Sequence, residues 1–139
     1  MSQDGELEFG FAFEQRYRPL LALLGINPGT CRLTLTDELL RVRFGPWLVL
    51  SPRANVAGAE LSGPFSPVKA LGVRMSLKDG GLTFGSSTRR GVCIRFHRSV
   101  SGSEPLGVLR HPALTVTVED PDRLAGLLAE RMPSRVPPA

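Results

Sequence analysis

Short runs in which apolar residues fall at every second position recur along most of the chain, each ended by a polar turn or by glycine and proline. Phe9, Phe11 and Phe13 stand at i, i+2 and i+4, the period of a strand with one buried face. Pro19 can open a helical turn carrying Leu20, Leu21, Leu23 and Leu24, which Gly25 stops before the Asn27-Pro28-Gly29 turn. The clearest hairpin follows. Leu33 and Leu35 alternate with Arg32, Thr34 and Thr36, Asp37-Glu38 makes the turn, and Leu40, Val42 and Phe44 alternate with Arg41 and Arg43. Gly45-Pro46 bends the chain into a short strand from Trp47 to Leu50, and Asn55 to Leu61 reads as a weak strand, bulged or bent around Gly58.

A loop from Ser62 to Pro67 precedes Val73, Met75 and Leu77, which alternate with Arg74, Ser76 and Lys78; Asp79-Gly80-Gly81 then turns the chain. Leu82 and Phe84 begin a strand that the Gly85-to-Gly91 loop ends, and Val92, Ile94 and Phe96 form the next inward set, opposed by Cys93, Arg95 and His97. Residues 99–113 are a long irregular connection, of a length that compact domains use for mobile or functional segments. A final strand, Leu114 to Glu119, runs directly into a helix with Asp120 as N-cap, Pro121 at its first position and Asp122 in its first turn. Leu124, Leu127, Leu128 and Met132 form its apolar stripe, and Pro133 is its expected stop.

These runs predict a mainly β domain, a sandwich or barrel of about seven antiparallel strands, capped by one C-terminal helix over about residues 120–132. The helix covers an open barrel end or the gap between two sheets. A flexible segment is expected at residues 1–8, the domain at 9–132 and a tail at 133–139.

Composition narrows the class. The 139 residues suit one domain, and 42% hydrophobic with 22% charged residues is an ordinary globular balance. No apolar run approaches the roughly 18 residues of a transmembrane helix, and the acidic start Met1 to Glu8 lacks the basic-then-apolar order of a signal peptide. The expected location is the cytoplasm, with membrane contact at most peripheral. Two cysteines, Cys31 and Cys93, are too few for a disulfide scaffold, and the expected state is two reduced, buried or half-buried thiols. The net charge of +4 is almost all arginine, because lysine stands only at Lys69 and Lys78. The arginines are scattered and aromatics make up 6% of the chain, which argues against nucleic acid, whose binders concentrate charge and interleave stacking rings.

The order of hairpin, meander, last strand and immediately capped helix is similar to bacterial pleckstrin-homology-like (PH-like) domains. The resemblance is carried by Leu33 to Phe44 with Gly45, by Asn55 to Glu60, and most strongly by Thr117 to Leu128, and it covers about residues 31–132. The segments Arg41 to Trp47 and Arg90 to Phe96, with the composition, also resemble a group of actinobacterial proteins of unassigned role. The resemblance implies a scaffold that binds proteins, peptides or lipid headgroups rather than an enzyme.

No arrangement of residues marks a catalytic or metal centre. Neither His97 nor His111 has a carboxylate placed beside it by local spacing, and there is no Gly-x-Ser-x-Gly elbow. Cys93 and His97 share a strand face, two ligands short of a zinc site. No cofactor is implied. Ser86, Ser87, Thr88, Arg89 and Arg90 form the best anion-binding candidate, since hydroxyls, backbone amides and paired guanidinium groups can grip phosphate or carboxylate; the alternative is a polar turn. Arg41 and Arg43, outward on one strand, make a basic patch with Arg32 or Arg74, although the acidic hairpin tip at Asp37-Glu38 argues against phosphoinositide binding. Trp47 and Phe65 are the candidate anchors for a partner. The reading is an interaction or regulatory module for a protein or peptide, or for a second copy of itself. Its rival is a barrel that holds a small apolar molecule among Phe11, Val42, Phe44, Ile94 and Phe96, or that takes an anionic lipid headgroup.

Overall fold

The computed structural model describes residues 6–64, 71–75, 80–102 and 109–135, with side chains through Ala129. Two sheets pack face to face. The first is an antiparallel meander of β1 (Leu7–Gly10), β2 (Cys31–Leu35), β3 (Leu39–Phe44) and β4 (Trp47–Pro52), in that order. The second contains β5 (Val56–Ser62), β6 (Gly72–Met75), β7 (Leu82–Gly85), β8 (Gly91–Val100) and β9 (His111–Val116), ordered β5-β8-β9-β7-β6. A short helix, α1 (Arg18–Ala22), follows β1, and α2 (Pro121–Arg135) follows β9.

The period-2 pattern explains the first sheet. Leu33 pairs with Val42 and Leu35 with Leu40, so one face of the β2–β3 hairpin is wholly apolar and the other carries Arg32, Thr34, Arg41 and Arg43. Phe44 from this face stacks on Phe84 of β7 at 5.0 Å between ring centroids, and Phe11 packs on Phe44 at 5.1 Å. Those rings, with Val42, Ile94 and Phe96, fill the space between the sheets.

Five features depart from the expectation. Among the described residues the strands number nine rather than about seven, because the short runs at β1 and β6 each gain a ladder partner. One pair is parallel, β7 with β9, because β9 lies between β7 and β8 and forces loop 86–90 to step over its end. The first strand begins inside the segment expected to be flexible, since Leu7 pairs with Leu35 and Glu8 is bonded to Arg32 at 2.9 Å. The last strand begins at His111 and not Leu114, and β8 reaches Val100, so the two take up both ends of the expected irregular connection. Finally, α2 continues through Pro133 to Arg135: a proline withdraws one N–H and crowds the turn before it, and here the backbone absorbs this in its last turn.

Other expectations are met. The bulge of β5 falls between Val56 and Gly58. Asp120 caps α2, its carboxylate accepting from the Arg123 N–H at 3.4 Å. The helix packs on β5 and β8 through buried Leu124, Ala125 and Leu128, with the Arg123 guanidinium 5.4 Å above the Phe9 ring. The side chain of Met132, expected in the same stripe, lies outside the described residues.

Candidate functional site

The loop expected to grip an anion already holds one, and it belongs to the chain itself. Where loop 86–90 crosses the end of β9, the N-terminal arm comes alongside: the Ala12 N–H donates to the Thr117 carbonyl at 2.9 Å and the Glu119 N–H to the Gly10 carbonyl at 2.8 Å. This brings Glu14 under the loop. Its Oε2 accepts the Thr88 N–H at 2.6 Å, the Thr88 hydroxyl at 2.7 Å and the Ser87 hydroxyl at 3.0 Å. The Thr88 hydrogen bonds, helped by Ser87 and nearby Arg16, hold the Glu14 carboxyl below the usual carboxylate range against the opposing cost of burial. Ser86 is buried, its N–H donating to the Thr117 hydroxyl at 2.9 Å and its own hydroxyl to the Ala12 carbonyl. Arg90 pairs with Asp122 at 3.2 Å, while Arg89 projects into solvent. The donors of Ser86, Ser87 and Thr88 are therefore spent on tying three chain segments together.

The expected basic residues divide between the sheets. Arg41 and Arg43 lie side by side on the exposed face of β3, but Arg32 is paired with Glu8, and Arg74 faces outward from β6 in the other sheet. Arg41 and Arg43 instead have leucines for neighbours. Arg41 stands opposite Leu50 and Arg43 opposite Leu48, and these leucines keep 55% and 43% of their surface exposed, with Leu39 on the same face at 44%. Of the helical-turn leucines only Leu21 is buried; Leu20, Leu23 and Leu24 remain outside. Trp47 is half-buried against the core, and Phe65 lies outside the described residues.

A concavity opens where the chain passes from one sheet to the other. β8 runs past the end of β5, whose pairing stops at Val56 with Phe96, so residues 97–100 project beside β4. A cleft of about 520 Å³ lies there, lined by Leu50, Pro52, Asn55, Arg98, Val100 and Arg110 among others. The Asn55 side chain completes the ladder that β5 abandons, accepting the Arg98 N–H at 2.9 Å and donating to the Arg98 carbonyl at 3.0 Å. Arg110, also in the lining, donates to the Ser99 carbonyl. Sequence reasoning does not single out Asn55, Arg98 or Arg110. The available signal was that strands flanking a connection often pair, which brings together the residues at its two ends.

Both histidines can now be placed. His97 is exposed at the rim of this cleft, whereas His111, which falls within the expected irregular connection as a solvated or turn residue, is fully buried at the start of β9 with its Nδ1 2.7 Å from the Gly80 carbonyl. Cys31 is buried in the first sheet and Cys93 half-buried in the second, both as thiols, and burial pushes the Cys31 thiol up. Among the described residues no three His, Cys, Asp or Glu side chains gather as metal ligands, and no helix is long and apolar enough to cross a membrane. No protein-family model, curated protein or solved structure matches the chain.

Proposed function

We propose that this chain is a non-catalytic, PH-like interaction module of the cytoplasm, and that it binds an acidic protein or peptide on the outer face of its first sheet. The observation that carries the reading is the alternation of exposed leucine and arginine on that face, Leu48 against Arg43 and Leu50 against Arg41. Exposed apolar residues grouped on one face mark contact surfaces in soluble domains, and interleaved guanidinium groups select an acidic partner. The core supports a binding surface over an internal carrier, because the Phe11, Phe44 and Phe84 rings occupy the interior that an apolar ligand would need. The β meander closed by a capped C-terminal helix favours the PH-like reading; the parallel β7–β9 pair departs from it.

The test begins with affinity capture from the native host, followed by titration of the purified partner. Leu39→Ser with Leu48→Ser should weaken binding by about tenfold or more while leaving stability within about 0.5 kcal/mol, the usual range for surface changes. Undiminished affinity in that variant, with loss in Leu20→Ser/Leu23→Ser, would move the contact to α1 and overturn the sheet-face reading.

A further inference from the structure

We propose that the cleft between β4 and the projecting end of β8 is a binding site for a small molecule that joins an oxyanion, phosphate or carboxylate, to a compact apolar body. This site adjoins the sheet face assigned to a macromolecular partner and shares Leu50 with it, but its two arginines, Arg98 and Arg110, lie outside that face and the inference does not depend on that reading.

The argument begins with charge. The cleft's lining includes Arg98 and Arg110, with His97 at its rim, and no aspartate or glutamate among the described residues that line it. Some arginines elsewhere on the surface meet carboxylates, as Arg32 does with Glu8, Arg90 with Asp122 and Arg95 with Glu60. Arg98 and Arg110 have no such ion pair among the described residues. Like-charged groups repel when brought to one concavity, and an oxyanion relieves that repulsion by accepting from both guanidinium forks.

The site is also held in shape. Asn55 grips both backbone polar groups of Arg98, and its amide is itself 3.3 Å from the Ser51 hydroxyl. The Arg110 guanidinium is fixed by one hydrogen bond to the Ser99 carbonyl, which leaves further N–H donors of its fork for a ligand. Such pre-organisation lowers the ordering cost of binding. Leu50, Pro52, Ala54 and Val100 supply the apolar part of the wall, and the volume of about 520 Å³ falls in the range of small-molecule sites, about 300–1,000 Å³.

The probes are phenyl phosphate, benzoate and inorganic phosphate, titrated into the ¹⁵N-labelled full chain. Saturable shifts at Asn55, Arg98, Ser99 and Arg110 are expected with phenyl phosphate or benzoate, and the tighter of the two identifies the oxyanion. Arg98→Gln and Arg110→Gln, both changes of exposed side chains, should each weaken that binding by about tenfold, or about 1.4 kcal/mol. Asn55→Ala should weaken it without removing a charge. Shifts that fail to saturate, or equal affinity in the wild type and both glutamine variants, would overturn the site. Equal affinity for inorganic phosphate and phenyl phosphate would overturn its apolar half.

Discussion

Glu14 and Thr88, 74 residues apart in sequence, are joined twice: one carboxylate oxygen accepts both the backbone N–H and the hydroxyl of Thr88, at 2.6 and 2.7 Å. With Ser87 donating to the same oxygen, this clasp pins the loop that steps over β9. The Glu14 side chain keeps 11% of its exposure, so the hydrogen bonds act largely out of water.

Glu14→Gln should therefore destabilise the fold by about 1–3 kcal/mol, the range for lost hydrogen bonds to a charged group. The pH dependence has a definite sign. The folded carboxyl titrates below its ordinary value of 4.5, so its contribution is fully present above that value and is lost as pH falls through the folded one. Urea denaturation at neutral pH and at stepped acidic pH should show the gap between wild type and Glu14→Gln closing on acidification. A gap that stays constant would show that the carboxylate charge contributes nothing.

Phe44 is sandwiched between Phe11 and Phe84 with none of its surface exposed. Phe44→Ala should cost about 3–5 kcal/mol, because removing the central ring of the stack leaves a cavity between two sheets that cannot collapse together. Thermal melting followed by near-ultraviolet circular dichroism would measure the loss; a cost under about 1 kcal/mol would mean that the sheets can close over the gap.

The two thiols should label in two stages. Cys93 lies half-buried on the outward side of β8, while Cys31 is 1% exposed and its thiol is pushed up by burial. A chromogenic disulfide reagent should react with one equivalent in the native protein and a second only on unfolding. Rapid reaction of both would require the first sheet to open readily.

The C-terminal helix should be indispensable. Leu124, Ala125 and Leu128 are buried against the sheet, so truncation before Asp120 uncovers the apolar surface of β5 and β8 beneath them. The truncated chain should lose cooperative melting, whereas Asp120→Ala, which removes only the cap, should cost about 1 kcal/mol. A truncated chain that still melts cooperatively as a monomer would mean that the sheets close without α2.

The parts legible in sequence are those whose cause is local. The β2–β3 register follows from Leu33, Leu35, Leu40 and Val42 alternating about a short acidic turn, because a one-residue slip of either strand would turn that strand's apolar side chains to water. The start of α2 was readable because Asp120 and Pro121 act within one turn of the chain. Gly58 marked the bulge of β5 for the same reason.

The candidate sites were far less legible. Ser87 and Thr88 carry the donors of an anion-binding loop, but nothing near them in sequence tells that Glu14 fills it. Asn55, Arg98 and Arg110 meet only because β8 outruns β5 and the turn at residues 53–55 carries the chain between sheets. By itself the sequence determined the strands, their inward faces and the capped helix, since side-chain periodicity and backbone capping act over a few residues. Tertiary structure alone decided the place of β9 between β7 and β8, the Glu14 clasp and the cationic cleft. Each depends on which distant segments become neighbours, and that is settled by burying the whole apolar surface at once.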